Sequence, residues 1–219
     1  MTDRRAPQAR AFIFLNGEFE NPPDWPRRPA AGDLVIAADG GARHARALGW
    51  PIDCLIGDLD SVDPEILHEV KNSGAEIFKY PAEKDEIDFE LALNLAQSRG
   101  YEEIEVLGAL GGRWDMTFGN LFLPRALHGG GGIRFRHGPW TFQTVSGPAE
   151  IALCGRPGDL LSLLPLGDDV GGVRLGGCRY PLSGETLKAG LSRGVSNELT
   201  ESRGELKFDS GTLLIMHRG

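Results

Sequence analysis

Two acidic pentapeptides carry the residues with the most chemistry to offer: Gly57-Asp58-Leu59-Asp60-Ser61 and Lys84-Asp85-Glu86-Ile87-Asp88. Each ends a run that reads as a buried strand, and each leads towards a helix. Like charges crowded at strand ends repel, so these four aspartates cost stability unless a cation shares the site. Hard cations such as Mg²⁺ take carboxylate oxygens and bridge protein to nucleotide phosphates. In an extended segment alternate side chains share a face, which lets Asp58 and Asp60 address one ion. The competing reading is a polar loop in which one of them caps a helix. Asp85 is expected as the N-cap of the next helix, with Asp88 three residues on and on the same side. Lys84 is either a phosphate contact or a solvated lysine. Ser61 either caps the following turn or donates to phosphate. The pattern implies an enzyme acting on a nucleotide.

Two glycine-bearing stretches extend this set. Asp39-Gly40-Gly41 ends a strand and starts a helix, where paired glycines let a phosphate approach backbone N–H groups. A tight turn between strand and helix explains the same residues equally well. Gly108-Ala109-Leu110-Gly111-Gly112-Arg113-Trp114-Asp115 combines space-clearing glycines with an arginine suited to bidentate contact with phosphate. Asp115 offers an acceptor, and Asn120 follows about a turn later; a plain Arg113–Asp115 surface pair is the alternative. No GxxxxGK[ST] occurs, and no GxSxG elbow joins a strand to a helix, which sets aside P-loop and serine-elbow chemistry. The five histidines are scattered without metal-ligand spacing and are expected to be mostly exposed.

The elements that must position these groups alternate in the first part of the chain. Strands are expected over 11–15, 34–38, 53–56, 76–79, 104–107 and 133–136, and helices over 42–48, 64–72, 87–97 and 116–127. A loop rich in proline spans 21–32, and the run Gly129–Gly132 reads as a flexible stop. Such alternation implies a parallel sheet flanked by helices, with ligands bound outside the carboxyl ends of the strands. Beyond residue 138 short strands over 141–145, 150–153, 160–164, 172–174 and 213–216 lie between turns, which suggests a small antiparallel sandwich or barrel. Two domains are therefore expected, an α/β catalytic and nucleotide-binding domain over 1–138 and an all-β domain over 139–219. The chain's 219 residues suffice for both. A net charge of −8, from 23 basic and 31 acidic residues, disfavours a nucleic-acid partner. Three widely spaced cysteines without a CxxC pair, Cys54, Cys154 and Cys178, fit core thiols in a reducing cytosol. No stretch reaches the roughly 20 apolar residues of a spanning helix. Residues 1–10 are basic but lack the apolar region of a signal peptide, so a loosely ordered terminus and a cytoplasmic location are expected.

Taken together, these stretches resemble the thiamin pyrophosphokinase family over nearly the whole chain. The family pattern DGG, GDxDS, KDxTD and GGRxD is matched in order by Asp39–Gly41, Gly57–Ser61, Lys84–Asp88 and Gly111–Asp115. Arg179-Tyr180-Pro181-Leu182, Leu187-Lys188 and Gly194-Val195-Ser196-Asn197-Glu198 look like its thiamin-side segment. The resemblance implies a β-sandwich over 139–219 and a homodimer with shared active sites. It also implies Mg²⁺-dependent transfer of the β,γ-pyrophosphoryl unit of ATP onto the thiamin hydroxyl, releasing AMP. On that basis Asp58, Asp60, Asp85 and Asp88 would organise metal and phosphates, with Asp39, Gly40, Gly41, Ser61 and Lys84 supporting the nucleotide. Arg113 would contact phosphate, Asp115 and Asn120 would face the acceptor, and Ser196 and Asn197 would reach thiamin from the partner subunit. Two positions depart from the pattern: Ile87 replaces the threonine of KDxTD, and Met116 replaces a histidine common in bacterial members. A pyrophosphokinase for another alcohol, such as a hydroxymethyl pterin, and a non-catalytic nucleotide or thiamin sensor are the competing functions.

Overall fold

The structure is a computed structural model that describes residues 9–22, 29–126 and 132–219. Most of the basic N-terminal segment, Pro23 and Pro26 of the expected loop, the last residue of the expected 116–127 helix and Gly129–Gly131 therefore lie outside the described residues. The chain divides into two compact units, Met1–Asn120 with Gly131–Gly138, and Leu121–Gly130 with Pro139–Gly219.

Six strands form the sheet of the first unit: β1 (Arg10–Phe14), β2 (Leu34–Ala38), β3 (Cys54–Gly57), β4 (Glu76–Lys79), β5 (Glu103–Leu107) and β6 (Ile133–His137). Their order is β6-β5-β1-β2-β3-β4, and every pairing is parallel. Residues 11–14 of β1 and all of β2 are continuous apolar runs buried on both faces, as suits a helix-covered parallel sheet. Four helices connect them: α1 (Ala42–Ala47), α2 (Pro64–Asn72), α3 (Asp88–Ser98) and α4 (Trp114–Ala126). Phe12, Phe14, Val35, Leu55 and Leu107 pack with Ala45 of α1 and with Ile66 and Val70 of α2 in one core cluster. Helix α3 lies against β1, β2 and β3 and buries Phe89, Ala92, Leu93 and Ala96. Strand order reverses direction at β1, since β2 lies on one side of it and β5 on the other. In such a sheet the crevice between the β1 and β5 exits is where ligands bind.

Asp63 caps α2, accepting from the N–H groups of Glu65 (2.8 Å) and Ile66 (3.4 Å), with Pro64 at the first helical position. Neither Asp58 nor Asp60 is that cap. Helix α3 starts differently from expectation: its N-cap is Ile87, in extended backbone and with no side-chain cap bond, while Asp85 lies exposed in the preceding loop.

The second unit is all antiparallel: β7 (Trp140–Ser146), β8 (Ala149–Cys154), β9 (Leu160–Pro165), β10 (Val170–Gly176), β11 (Leu182–Leu187), β12 (Asn197–Glu198), β13 (Arg203–Phe208) and β14 (Thr212–Arg218). Strands β12-β9-β14-β7 pair in one layer and β11-β10-β13-β8 in the other. Leu161, Leu163, Leu213 and Ile215 of the first layer meet Val170, Val173, Leu175, Leu206 and Phe208 of the second, which makes a sandwich. Three of these strands, β11, β12 and β13, were not expected. In β11 only the end residues are buried, β12 has two residues, and β13 places a glycine at a buried position.

Candidate active site

The exits of β1, β2, β3 and β5 gather at one end of the first sheet around a cavity of about 660 Å³. Its walls are the β1 exit Leu15–Phe19, Asp39 with Arg43 and His44 beyond β2, Ser61 beyond β3, Asp88 and Phe89 at the start of α3, and Gly108–Arg113 with Met116 and Asn120.

Asp39, Asp58 and Asp60 each offer a carboxylate oxygen, and those oxygens lie within 4.8 Å of one another. The grouping rests on backbone conformations that L-residues rarely adopt. Asp39 (φ 46°) and Leu59 (φ 69°) are both left-handed. The segment is thus not extended as expected: the bend at Leu59 lets its N–H donate to Asp39 Oδ1 (2.9 Å) while the Asp60 N–H donates to Asp58 Oδ1 (3.0 Å). Gly57 (φ 137°) is required here, because a Cβ on it would fall 2.1 Å from Asp39 Oδ1. Asp63 rather than Ser61 caps the helix that follows, and the Ser61 Oγ accepts the Gly40 N–H at 3.1 Å. Gly40 and Gly41 serve tight packing. A Cβ would lie 2.4 Å from Asn16 Oδ1 at the first and 2.1 Å from the Phe14 carbonyl oxygen at the second.

The electrostatics are those of a site short of positive charge. Asp39 is only 7% exposed. Burial, then a hydrogen bond and the charge of Asp88, push its pKa up to about 7. The backbone N–H of Asp60 holds Asp58 below the usual carboxylate range, and the contact with Asp58 in turn raises Asp60. Lys84 sits 2.9 Å from Asp88 Oδ1. Desolvation disfavours its charge, but the hydrogen bond and charge of Asp88 outweigh this and its pKa rises. Neighbouring oxygens on an octahedral Mg²⁺ with bonds of ~2.1 Å are ~3 Å apart, so the three carboxylates fit such an ion with a contraction of up to about 2 Å per pair, within reach of side-chain rotation. Asp85 and Asp88 stand outside that mutually close set.

On the opposite wall Arg113 is 74% exposed and pairs with Asp115, Nε to Oδ1 at 3.2 Å. Asn120 is 4% exposed. Its Nδ2 donates to the Ala109 carbonyl at 2.8 Å, and its Oδ1 has no partner among the described residues. In the second unit Ser196 is exposed and left-handed (φ 64°), with its N–H on Ser162 Oγ (3.0 Å). Asn197 is buried and spends its amide on Tyr180, accepting from its N–H (3.0 Å) and donating to its carbonyl (2.8 Å).

Some cavity residues escaped the sequence reading. His44, expected to be exposed like most histidines, is 9% exposed. It donates from Nε2 to the Gly17 carbonyl at 3.0 Å, and burial lowers its pKa. Glu18 and Arg43 were missed as well. The available signals were the Asn16-Gly17 turn closing β1 and, for Arg43 and His44, their place two and three residues beyond the Asp39-Gly40-Gly41 turn. Cys154, expected in the core, is exposed, while Cys54 and Cys178 are buried.

The model of the thiamin pyrophosphokinase catalytic domain matches residues 29–128, and that of the family's vitamin B1 binding domain matches residues 150–213. A thiamine pyrophosphokinase of Bacillus subtilis is 28% identical over 170 residues, covering 73% of this chain and 75% of its own length. Thiamine pyrophosphokinase 1 of Oryza sativa subsp. japonica is 27% identical over 240 residues, covering 94% of this chain and 86% of its own. The crystal structure of a thiamin pyrophosphokinase family protein from Enterococcus faecalis superposes with a TM-score of 0.83 at 26% identity, covering 96% of this chain and 99% of that one. Among the described residues no helix is long and apolar enough to cross a membrane.

Proposed function

Because this chain belongs to the thiamin pyrophosphokinase family, we propose that its pyrophosphate transfer to thiamin runs on ATP and Mg²⁺ in the cavity at the strand ends. The observation that carries this reading is the convergence of Asp39, Asp58 and Asp60 beside a wall bearing Arg113. Those three carboxylates would hold the ion. When bound, Mg²⁺ supplies charge neutralisation for the polyphosphate and a fixed point for its oxygens. Asp88 keeps Lys84 at the phosphate side, and Asp85 faces solvent on the adjoining loop. Arg113 grips phosphate oxygens once it leaves Asp115. Gly40 and Gly41 keep the β2 exit tight enough for Asp39 to reach the ion, and Ser61 ties that turn down.

The thiamin hydroxyl oxygen attacks the β-phosphorus of ATP, and a new O–P bond forms. The bond from that phosphorus to the α,β-bridging oxygen breaks, AMP departs with the electron pair, and the hydroxyl proton passes to a carboxylate of the acidic set. Positioning and charge stabilisation suffice for such a transfer. Asn120, with its free Oδ1, and Asp115 face the acceptor. Ser196 of a second copy contacts thiamin, and Asn197 holds that segment through Tyr180. The functional unit is then a homodimer with shared sites, made of a catalytic domain over 1–138 and a thiamin-binding sandwich over 139–219. Free thiols at all three cysteines support a cytoplasmic location.

The test is purified protein with ATP, Mg²⁺ and thiamin, following AMP and thiamin diphosphate by chromatography. Both products should form in equal amounts. Turnover with a hydroxymethyl pterin but not thiamin, or tight binding without turnover on any acceptor, would refute the assignment.

A further inference from the structure

The β1 exit is tied to two catalytic segments at once. On one side Leu15, Gly17 and Glu18 donate their N–H groups to the carbonyls of Leu107 (2.8 Å), Gly108 (2.7 Å) and Leu110 (3.0 Å), so the exits of β1 and β5 are zipped together at the point where strand order reverses. On the other side Arg43, just beyond the Asp39–Gly41 turn, donates to the side chain of Asn16 and to the carbonyls of Asn16 and Gly17 (3.1 Å each), and His44 pins the Gly17 carbonyl. The segment is thus held from both sides, and Glu18 projects from it.

The Glu18 carboxylate accepts the Gly112 N–H at 3.0 Å, while the Thr117 hydroxyl accepts the Gly111 N–H at 3.1 Å. Gly111 (φ 78°) and Gly112 (φ 70°) are consecutive left-handed glycines. Without side chains to restrict it, such a pair is the stretch with most freedom to lose. A Cβ on Gly111 would lie 2.6 Å from Glu18 Oε2, so Glu18 also forms the floor of the turn. Arg113 comes next in the chain. Its ion partner Asp115 sits two residues along and shares its local geometry, so that pair does not fix Arg113 relative to the sheet.

We propose that Glu18 is a positioning residue for Arg113: its carboxylate fixes the Gly111-Gly112 turn against the β1 exit and thereby presents the guanidinium to the transferred phosphates. The inference rests on the reading of Arg113 as a phosphate contact. A hydrogen bond to an ionised acceptor is among the stronger ones, and its loss at a turn that aims a catalytic group acts on transition-state geometry.

The experiment measures kcat and KM for ATP at saturating thiamin, and KM for thiamin at saturating ATP, in wild type, E18A, E18Q, R113A and E18A/R113A, with melting curves for each. E18A should lower kcat/KM for ATP roughly tenfold, the scale of one charge-assisted bond, mostly through kcat. E18Q, which keeps an acceptor oxygen, should recover most of that loss. In the R113A background E18A should add less than about twofold, because the group it aims is gone. If R113A is impaired but E18A is harmless, or if the full E18A loss persists on top of R113A, Glu18 does not act through Arg113. An E18Q as impaired as E18A, or, if E18A fails to fold, an E18Q that itself loses roughly tenfold in kcat/KM, refutes the acceptor role. If R113A itself is as active as wild type, the phosphate-contact reading fails and this inference with it.

Discussion

Replacing Asp39 by asparagine should make the metal-free protein more stable while removing its activity. Asp39 is buried, and its pKa is raised from 3.8 to about 7, first by desolvation and then by Asp88. An acid with a raised folded-state pKa keeps its proton in the native protein where the unfolded chain has lost it. Its unfavourable contribution is therefore absent below about pH 4, grows as pH rises through the window from 4 to 7, and is complete above it. A shift of about three units at about 1.36 kcal/mol each sets a ceiling of about 4 kcal/mol at pH 8, falling to about 1 kcal/mol at pH 4.5. Asparagine retains an oxygen for the Leu59 N–H, offers an amide to Asp88 and carries no charge to desolvate.

Chemical denaturation of wild type and D39N in chelator, at pH 8 and pH 4.5, reads this directly. D39N should be the more stable at pH 8 by about 2–4 kcal/mol, with the gain shrinking to about 1 kcal/mol or less at pH 4.5. Adding Mg²⁺ should narrow the gap, since an ion that binds only the native state stabilises by mass action and D39N has lost one of its three carboxylates. A D39N protein less stable than wild type at pH 8, or a gain that does not shrink on acidification, would refute the account of Asp39 as a carboxylate held at a cost for ion binding.

Two further substitutions test neighbouring parts of the site. G57A drives a methyl group to 2.1 Å from Asp39 Oδ1 at a φ of 137°; turnover should fall at least about a hundredfold, as expected when a catalytic group is displaced by an ångström, and steady-state kinetics within threefold of wild type would contradict the close approach. I87T supplies the side-chain cap that α3 lacks; the protein should gain about 1 kcal/mol in denaturant, and an unchanged or lowered midpoint would show that buried aliphatic contacts of Ile87 outweigh a cap.

The framework was legible because parallel strands buried on both faces tend to be continuous apolar runs, as at 34–38. The helix punctuation was equally plain: Gly49 and Pro51 after α1, and Pro64 opening α2. What resisted was set by tertiary contact. Asp85 has the composition of a cap, yet α3 begins three residues later, so Asp88, not Asp85, stands at the cavity. Strand β13 alternates properly, but a glycine and charged residues hide the period, and β11 is an outer strand with little to bury. Asp39 was read as a helper; its place beside Asp58 and Asp60 depends on a left-handed bend at Leu59 that no local preference of leucine foretells. Glu18 was invisible because its partner, Gly112, is 94 residues away.

That bend explains how the acidic set is held together. Among the described residues the three non-glycine residues with left-handed backbone, Asp39, Leu59 and Ser196, all fall in segments proposed to meet ligands. Each such residue costs on the order of 1–3 kcal/mol, a strain that survives only where the surroundings over-determine it. Around Asp39 and Leu59 the determinants are strands β2 and β3, whose parallel register from Ile36↔Cys54 to Ala38↔Ile56 brings their exits side by side. Extended backbone at Leu59 would forfeit its N–H bond to Asp39 and leave the buried carboxyl with one donor fewer. Strain at Leu59 and the raised pKa of Asp39 are therefore one arrangement seen from two residues. If so, L59G should relieve backbone strain without stabilising the protein by the full amount, because the glycine frees the turn as well as relaxing it. Its larger effect should be a weaker Mg²⁺-induced rise in melting temperature. An L59G protein with an undiminished rise would separate the bend from the ion site.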